Sequence, residues 1–512
     1  MKGRSREALM MILVAACLAM VLANAARWFL RVDLTRSRAF SISEVSRAIL
    51  RTIPEQVHIT YYLSDTLRSL TPSAGRIVDL LQEYAADSQG RVLVTVLDPD
   101  RAGRAESARR YGILPQQIQV VQQNEQRTTN VYSGIVIDYL DRYTSLPAVF
   151  TADGLEYSLS FAVRRVLSGR RVQIGVVVGT AGKSWQDDYQ TLRDGLSRDY
   201  SLREYLPGEE IPPEVDVLLV LGGTGWSAAE CAPIDSYVMA GGKVLFGVKG
   251  LQVETARTLG ATAVGDAPLL GMIESYGVRV GHEMVLDVAC RSYRLPQQQA
   301  SGQVAWETIG VYPPWVSVQA PNVDAGSPVT ARFSGLDLLW PSPLQEVTRQ
   351  GVKAEPLLKS TSSAWLLKAP FTIDPYTVAQ SSPPQGQFVL GYALSGTFPS
   401  AAAGGGGAAR SNPTRMIVVG DDDFANDLMQ FSDSLYNVIF VENAVLWLSG
   451  NADLLSIKTR ATVQGKLDRV QDPAARGRLM LAAELINVVV IPALVVLFGL
   501  VRLLRRRERG AQ

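Results

Sequence analysis

Residues 215–223 read VDVLLVLGG, and the fold turns on them. From Val217 to Leu221 the chain is apolar without alternation, a pattern a strand needs only when both its faces are buried, as in a parallel sheet. Three further stretches read the same way: 172–178 (VQIGVVV), 244–248 (VLFGV) and 416–420 (MIVVG). Helical spacing lies between them over 188–198 and 229–240, the second stopped by Gly241-Gly242. This rhythm predicts an α/β fold with a doubly wound parallel sheet, whose ligands bind at the carboxyl ends of the strands. Those ends supply the candidate ligand cleft: Gly222 and Gly223 after one strand, Asp421 and Asp423 after another. Three acids in a row, Asp421 to Asp423, have the chemistry for a divalent ion. Capping of a following helix is the plainer expectation and the one adopted.

The N-terminal half reads differently. Strands are expected over 57–63, 92–97, 117–122 and 134–139, and helices over 74–86 and 106–111. The order β-α-β-α-β-β is that of a thioredoxin-like layer, and residues 155–167 form a helix leading to the next unit. A redox centre of that type needs Cys-x-x-Cys after the first strand. Ser64-Asp65-Thr66-Leu67 stands there, so redox chemistry is not expected. Gly179-Thr180-Ala181-Gly182-Lys183-Ser184 ends like a phosphate-binding loop, but the first glycine of that motif would fall at Val177. The central pattern resembles the class I amidotransferase-like folds, whose nucleophilic Cys sits on a strained turn after such a strand. Here the turn is Lys249-Gly250, and neither Cys231 nor Cys290 is placed on it. No enzymatic activity, catalytic residue, cofactor or metal site is therefore expected.

The chain has 512 residues and a formal net charge of +1, a balance that offers no electrostatic footprint for nucleic acid. Two histidines (His58, His282) and three cysteines (Cys17, Cys231, Cys290) give neither a zinc cluster nor a disulfide framework; Cys231 and Cys290 read as free core thiols rather than a pair. The two ends set the location. Residues 8–26 are an uncharged apolar run preceded by Lys2, Arg4 and Arg6. Residues 479–504 are apolar apart from Glu484, Asn487 and Arg502, and Arg505, Arg506, Arg507 and Arg509 follow. Each run is long enough to span a bilayer as a helix, and basic tails stay in the cytoplasm.

The expected organisation is then a cytoplasmic tail (1–7), a transmembrane helix (8–26), a thioredoxin-like α/β domain (40–168), a doubly wound domain (169–455) with a flexible Ala/Gly insert at 400–410, a linker (456–478), a second transmembrane helix (479–504) and a basic cytoplasmic tail (505–512). Both termini lie in the cytoplasm and the body lies outside the bacterial cytoplasmic (inner) membrane, in the periplasm. For the first helix, cleavage after Ala25 as a signal peptide and lipidation at Cys17 are the alternatives. Glu484 and Asn487, near the outer end of the last helix, are costly against lipid and so form the candidate contact with a membrane partner.

Several segments, in order, resemble one family. Arg31-Val32-Asp33-Leu34-Thr35 with Phe40-Ser41-Ile42-Ser43 is similar to its first motif, and Val215-Asp216-Val217-Leu218 with Gly241-Gly242-Lys243 to its central domain. Ser327-Pro328-Val329-Thr330 with Trp340-Pro341-Ser342 resembles a later signature. Val419-Gly420-Asp421-Asp422-Asp423-Phe424 and Asn443-Ala444-Val445-Leu446-Trp447-Leu448 resemble the last two. The family is that of the auxiliary, extracytoplasmic subunits of ABC-type transport systems typified by the gliding-motility protein GldG. The Ala/Gly insert and the acid at Asp422, usually a small residue, depart from its pattern. The resemblance implies a non-catalytic accessory subunit of a transporter or motility-related complex. Such a subunit docks on a membrane permease and, through it, on a cytoplasmic ATPase. The other expectation is a membrane-anchored module that binds a glycan or cell-wall polymer in the cleft near Gly222, Gly223 and Asp421.

Overall fold

The computed structural model describes residues 41–461, except 102–103, 123–124, 256–257, 299–303, 331–332, 334, 379–381, 402–409 and 433–435. Both apolar ends, the core of the Ala/Gly insert, Glu484 and Asn487 lie outside the described residues. Among the described residues no helix is long and apolar enough to cross a membrane.

The first sheet has the order β2-β1-β5-β6, from β1 (Val57–Leu63), β2 (Val92–Leu97), β5 (Ser133–Tyr139) and β6 (Arg142–Leu146). β1 runs parallel to β2, with Val57 opposite Val92, and antiparallel to β5, with Val57 opposite Tyr139. The helix Pro72–Asp87 crosses between the parallel pair. Pro72 stands at its start, where a missing N–H costs nothing, and Ala74, Ile77, Leu81 and Tyr84 bury one face. A buried polar knot joins three helices beside this layer. Glu156 Oε1 accepts from Ser43 N (2.5 Å) and Ser46 Oγ (2.7 Å), and the Tyr84 hydroxyl donates to Glu156 O (2.9 Å).

The stretch expected as a third layer strand behaves otherwise. Among the described residues, β3 (Gln116–Gln122) pairs only with β4 (Glu125–Val131), as a separate antiparallel hairpin. The fourth position of the layer goes to β6. A two-residue turn at Leu140-Asp141, with Leu140 at φ 55°, folds β6 straight back onto β5, so that Tyr139 faces Arg142. The edge is filled by its nearest neighbour in the chain before a more distant strand can reach it.

The second half begins with four strands, each parallel to its neighbour: β7 (Gln173–Gly179), β8 (Ser201–Glu204), β9 (Val217–Gly222) and β10 (Val244–Gly247). The chain then makes a long antiparallel excursion that apolar periodicity did not announce. β11 (Leu251–Glu254), β12 (Gly260–Ala263) and β21 (Phe371–Thr372) form one small sheet; β14 (Met284–Leu286) pairs with β20 (Trp365–Leu367); β15 (Cys290–Gln298), β16 (Val304–Val318) and β17 (Leu336–Leu339) form another. β13 (Val278–Val280), β18 (Leu344–Glu346), β19 (Val352–Lys359) and β22 (Val389–Gly396) widen the central sheet with antiparallel strands, and β23 (Thr414–Val419) enters beside β10, parallel to it. The order is β13-β18-β22-β23-β10-β9-β7-β8, with β19 on β22. The whole is a mixed α/β structure whose parallel part is β7 to β10 and β23.

The two faces of that sheet carry separate cores. Val217, Leu219 and Leu221 of β9 join one cluster; Leu218 and Val220 join the other. This is why the strand reads as an unbroken apolar run. The first cluster continues through Ile59 and Tyr61 into the N-terminal layer. The helix Tyr436–Leu448 is buried nearly all round, through Val438, Phe440, Val441, Ala444, Val445 and Leu446. It is a core helix, pinned by Asn437, whose amide donates to Asp337 O (2.7 Å) and Phe424 O (2.6 Å). The next helix, Ala452–Ala461, runs into the stretch read as linker and packs on Leu155–Ser168, where Arg164 Nη1 donates to Asp453 Oδ1 (2.8 Å).

At the end of β9, Gly222 (φ 79°) lets two loops touch: a Cβ there would lie 2.3 Å from Thr180 N. Gly222→Ala is expected to cost about 2–3 kcal/mol of stability, read as a lowered unfolding midpoint of the full chain in detergent. A midpoint equal to that of the wild type would contradict this packing.

Candidate functional site

β10 and β23 are parallel neighbours, with Gly247 opposite Val419. Two residues further on, the same register sets Lys249 against Asp421. The Lys249 side chain is 3% exposed, and its Nζ lies 3.1 Å from Asp421 Oδ1, 3.0 Å from Asp422 Oδ1 and 2.6 Å from Asp423 Oδ2. It also donates to Leu339 O (3.3 Å) and sits 5.5 Å from the centre of the Trp340 ring. The other carboxylate contacts are largely backbone. Asp421 Oδ2 accepts from Leu339 N (2.7 Å), Asp421 Oδ1 from Asp423 N (2.8 Å), and Asp423 Oδ1 from Asn426 Nδ2 (2.6 Å). Asp422 Oδ1 stands apart: it is in ion-pair range of the ammonium yet out of line for a hydrogen bond.

Three carboxylates this close have the spacing of a metal site, but the point they share is filled by the Lys249 ammonium. Nor do they cap a helix, and that expectation is corrected. The chain continues into the short 3-10 helix Asp427–Ser432, whose Leu428 N donates to Asn426 Oδ1 (2.9 Å) rather than to any of the three acids, and the next α-helix starts at Tyr436. The capping acid is Asp427, which accepts from Gln190 N (2.8 Å) and Thr191 N (2.9 Å) of another helix.

Burial drives the Asp421 carboxyl up to about 7; Lys249 opposes this, while Asp423 and Asp422 add to it. Burial likewise raises Asp422 against the pull of Lys249. Burial alone would lower Lys249, yet the three acids outweigh it and hold the ammonium well above the ordinary lysine value. The cluster therefore keeps its cation at any physiological pH and takes up a proton on its acids near neutrality.

Above the cluster lies a cleft of 740 Å³. Thr180 and Lys183 come from the β7 loop, Thr224 and Gly225 from the β9 loop, Tyr312 and Trp315 from β16, and Trp340 from the end of β17. The Tyr312 hydroxyl donates to Ile373 O (2.6 Å) and accepts from Trp340 Nε1 (2.9 Å). Trp340 holds φ at 57°, a backbone state that a bulky residue adopts only when its surroundings impose it. Of the sequence-based candidates, Asp423 lines this cleft. Asp421 lies beneath it, and Gly222 and Gly223 pack the neighbouring loops together, the second against the Trp226 ring. Lys183 is paired with Asp188 (3.0 Å). Both described thiols are free; burial pushes Cys231 up to about 11, with Glu230 adding to it, and raises Cys290.

None of Lys249, Thr180, Tyr312 and Trp340 was a sequence-based site candidate: Lys249 was read as a turn residue, Thr180 as part of a glycine-rich loop and Trp340 as part of a family signature. Lys249 had a usable signal: it is the lone cation at the end of a buried strand, in a chain with three acids at the end of another. Of the aromatic wall only Trp340 stood in a recognised signature, and nothing there placed it beside Tyr312, since that depends on how the antiparallel excursion folds back.

Lys249→Met is expected to destabilise the protein by about 3–5 kcal/mol, because it strands buried acids; denaturant unfolding measures this, and a loss under about 1 kcal/mol would deny the cluster its structural weight. Asp421 gives a pH signature. Its carboxyl sits near 7 in the fold against 3.8 ordinarily, so the folded chain holds more protons than the unfolded one between about pH 4 and 7. Stability therefore falls as pH rises through that window. Acids held low, such as Asp216 and Asp453, act below it. Asp421→Asn is expected to flatten the slope, and an unchanged slope would rule this assignment out.

Residues 36–138 match a family model described as a domain of unknown function. A protein of Borreliella burgdorferi described as uncharacterized is 22% identical over 523 residues, covering 99% of this chain and all of that one. Among solved structures, the mmIFT52 N-terminal domain is similar at 14% identity and a TM-score of 0.32, over 53% of this chain and all of that domain. A ThuA-like protein of Parabacteroides merdae is similar at 11% identity and 0.28, over 55% of this chain and 90% of that one. Residues 171–444, just over half of the chain, match the family model of ABC transport auxiliary proteins, described as an ABC-type uncharacterized transport system. The chain belongs to this family of auxiliary components of ABC-type transport systems.

Proposed function

We propose that this protein is a GldG-like, extracytoplasmic accessory subunit that does no chemistry of its own. Membrane helices over 8–26 and 479–504 hold it, both termini lie in the cytoplasm, and the body docks on a permease that connects it to a separate ATPase. In this reading the first sheet is a thioredoxin-like layer without its cysteines, and the parallel part of the central sheet is a doubly wound domain. The family match over the body carries the reading. The cleft supports it. Where a hydrolase of this layout would place a nucleophile, the chain places Lys249, and three carboxylates take up its charge. Cys231 and Cys290 sit elsewhere, with burial raising both thiols. The apolar ends with their basic flanks support the topology, and Glu484 and Asn487 are the membrane-level contacts we assign to the permease.

Detergent extracts are expected to yield the chain together with a permease and an ATPase, and Glu484→Leu to lower their recovery several-fold while leaving the unfolding of the body unchanged. Recovery of the chain alone, or a variant that copurifies as well as the wild type, would count against docking or against Glu484 respectively. A phosphatase reporter that works only outside the cytoplasm should be active when fused within the body and silent at the C-terminus.

A further inference from the structure

β6 is the edge of the first sheet. Its inner side pairs with β5, from Ile135–Leu146 to Tyr139–Arg142, and no strand among the described residues pairs with its outer side. Open edges are usually guarded by proline, a bulge or inward charge. β6 reads RYTSL, pairs without a bulge and has Arg142 as its one charge. It lines a groove of 1390 Å³ together with residues 109–112, the segment after β6 and residues from 165–171 and 198–199. The lining holds seven arginines against three aspartates. Three of the arginines already have an acid: Arg170 with Asp216 (2.6 Å), Arg165 with Asp199 (3.5 Å) and Arg142 with Asp141 (3.7 Å). Arg109, Arg110, Arg171 and Arg198 are exposed and have no carboxylate in ion-pair contact among the described residues.

We propose that this groove receives an extended, Asp/Glu-rich segment of a partner protein. The segment adds to β6 as a fifth strand, and its carboxylates pair with Arg109, Arg110, Arg171 and Arg198. Charge rules out the ends of this chain as the occupant. Residues 1–40 carry seven basic side chains against two acidic, and residues 462–512 nine against four. A lipid headgroup or anionic polymer would use the arginines alone. A peptide backbone also uses the open strand edge. The inference does not depend on the transport role, since it rests on the edge, the groove and its charge.

The probe is a fluorescein-labelled peptide of about ten residues alternating Thr with Glu, titrated with the full chain in detergent and followed by anisotropy at low salt. Saturable binding is expected. Arg171→Glu with Arg198→Glu should weaken it at least about tenfold, and so should proline at alternate peptide positions, which keeps the charge but removes main-chain donors. Both arginines are exposed, and matching unfolding midpoints confirm that the double variant folds; the proline peptide tests the idea independently of any variant. Absence of binding overturns the proposal. Equal binding of the proline peptide, or equally strong competition by phosphatidylglycerol vesicles, also overturns it, by showing a groove that reads charge alone.

Discussion

Bringing three carboxylates out of water within one short loop costs several kcal/mol for each ion unless a cation and aligned donors replace the solvent. The Lys249 ammonium, Leu339 N and Asp423 N supply that replacement, and the demand for them shapes the rest of the fold. Lys249 reaches Asp421 only if β10 and β23 lie side by side and parallel, although more than 160 residues separate their sequences. Leu339 reaches the same carboxylate only if β17 ends over the cluster. The antiparallel excursion from β11 to β22 therefore has to leave the sheet at one strand end and return beside it. Trp340 follows at a positive φ because its backbone N donates to Pro314 O (2.8 Å) and its ring closes over the ammonium. The strain at that residue is held by contacts on both sides.

The cluster also sets what the cleft offers. A free lysine at a strand end would be a nucleophile or an anion site. Here its charge is spent three times over, and the surplus is acidic. Asp421, the acid with a carboxyl near 7, has both oxygens bound to backbone N–H groups and does not line the cleft. Asp422 and Asp423 present the polar floor, and Tyr312, Trp315 and Trp340 the apolar wall. The polar floor and the aromatic wall therefore meet at the ends of β10, β17 and β23.

Burial on both faces writes itself directly into sequence, which is why the parallel strands at 172–178, 215–221, 244–248 and 416–420 were legible. The antiparallel excursion was not. β15 contains Pro296 and β16 contains Pro313-Pro314, residues that argue against a strand until a partner edge without need of their N–H groups is known. β3 and β6 illustrate the same limit. Both alternate acceptably, and only the two-residue turn at Leu140-Asp141 decides which one joins the layer. At the site, Asp423 was found because acids at a strand end are conspicuous. Gly222 and Gly223 were conspicuous for another reason, the close approach of two loops. Lys249 looked like an ordinary turn residue because its partners lie at the end of a different strand.

The two family-matched regions, 36–138 and 171–444, are not packed as separate bodies hinged on the residues between them. One apolar cluster runs from Ile42, Ile59 and Tyr61 through Leu159 and Val163 to Leu219, Ile417 and Phe440, so the layer and the sheet share a core. The helix Leu155–Ser168 sits inside that core rather than spanning a gap, and Ala452–Ala461 returns to clamp it through Arg164 and Asp453. Swinging the layer away would expose this surface at about 25 cal/mol for each Å², a cost that grows past the stability of an ordinary domain within a few hundred Å². The described body is therefore packed as one piece, with the layer and the central sheet on a common core.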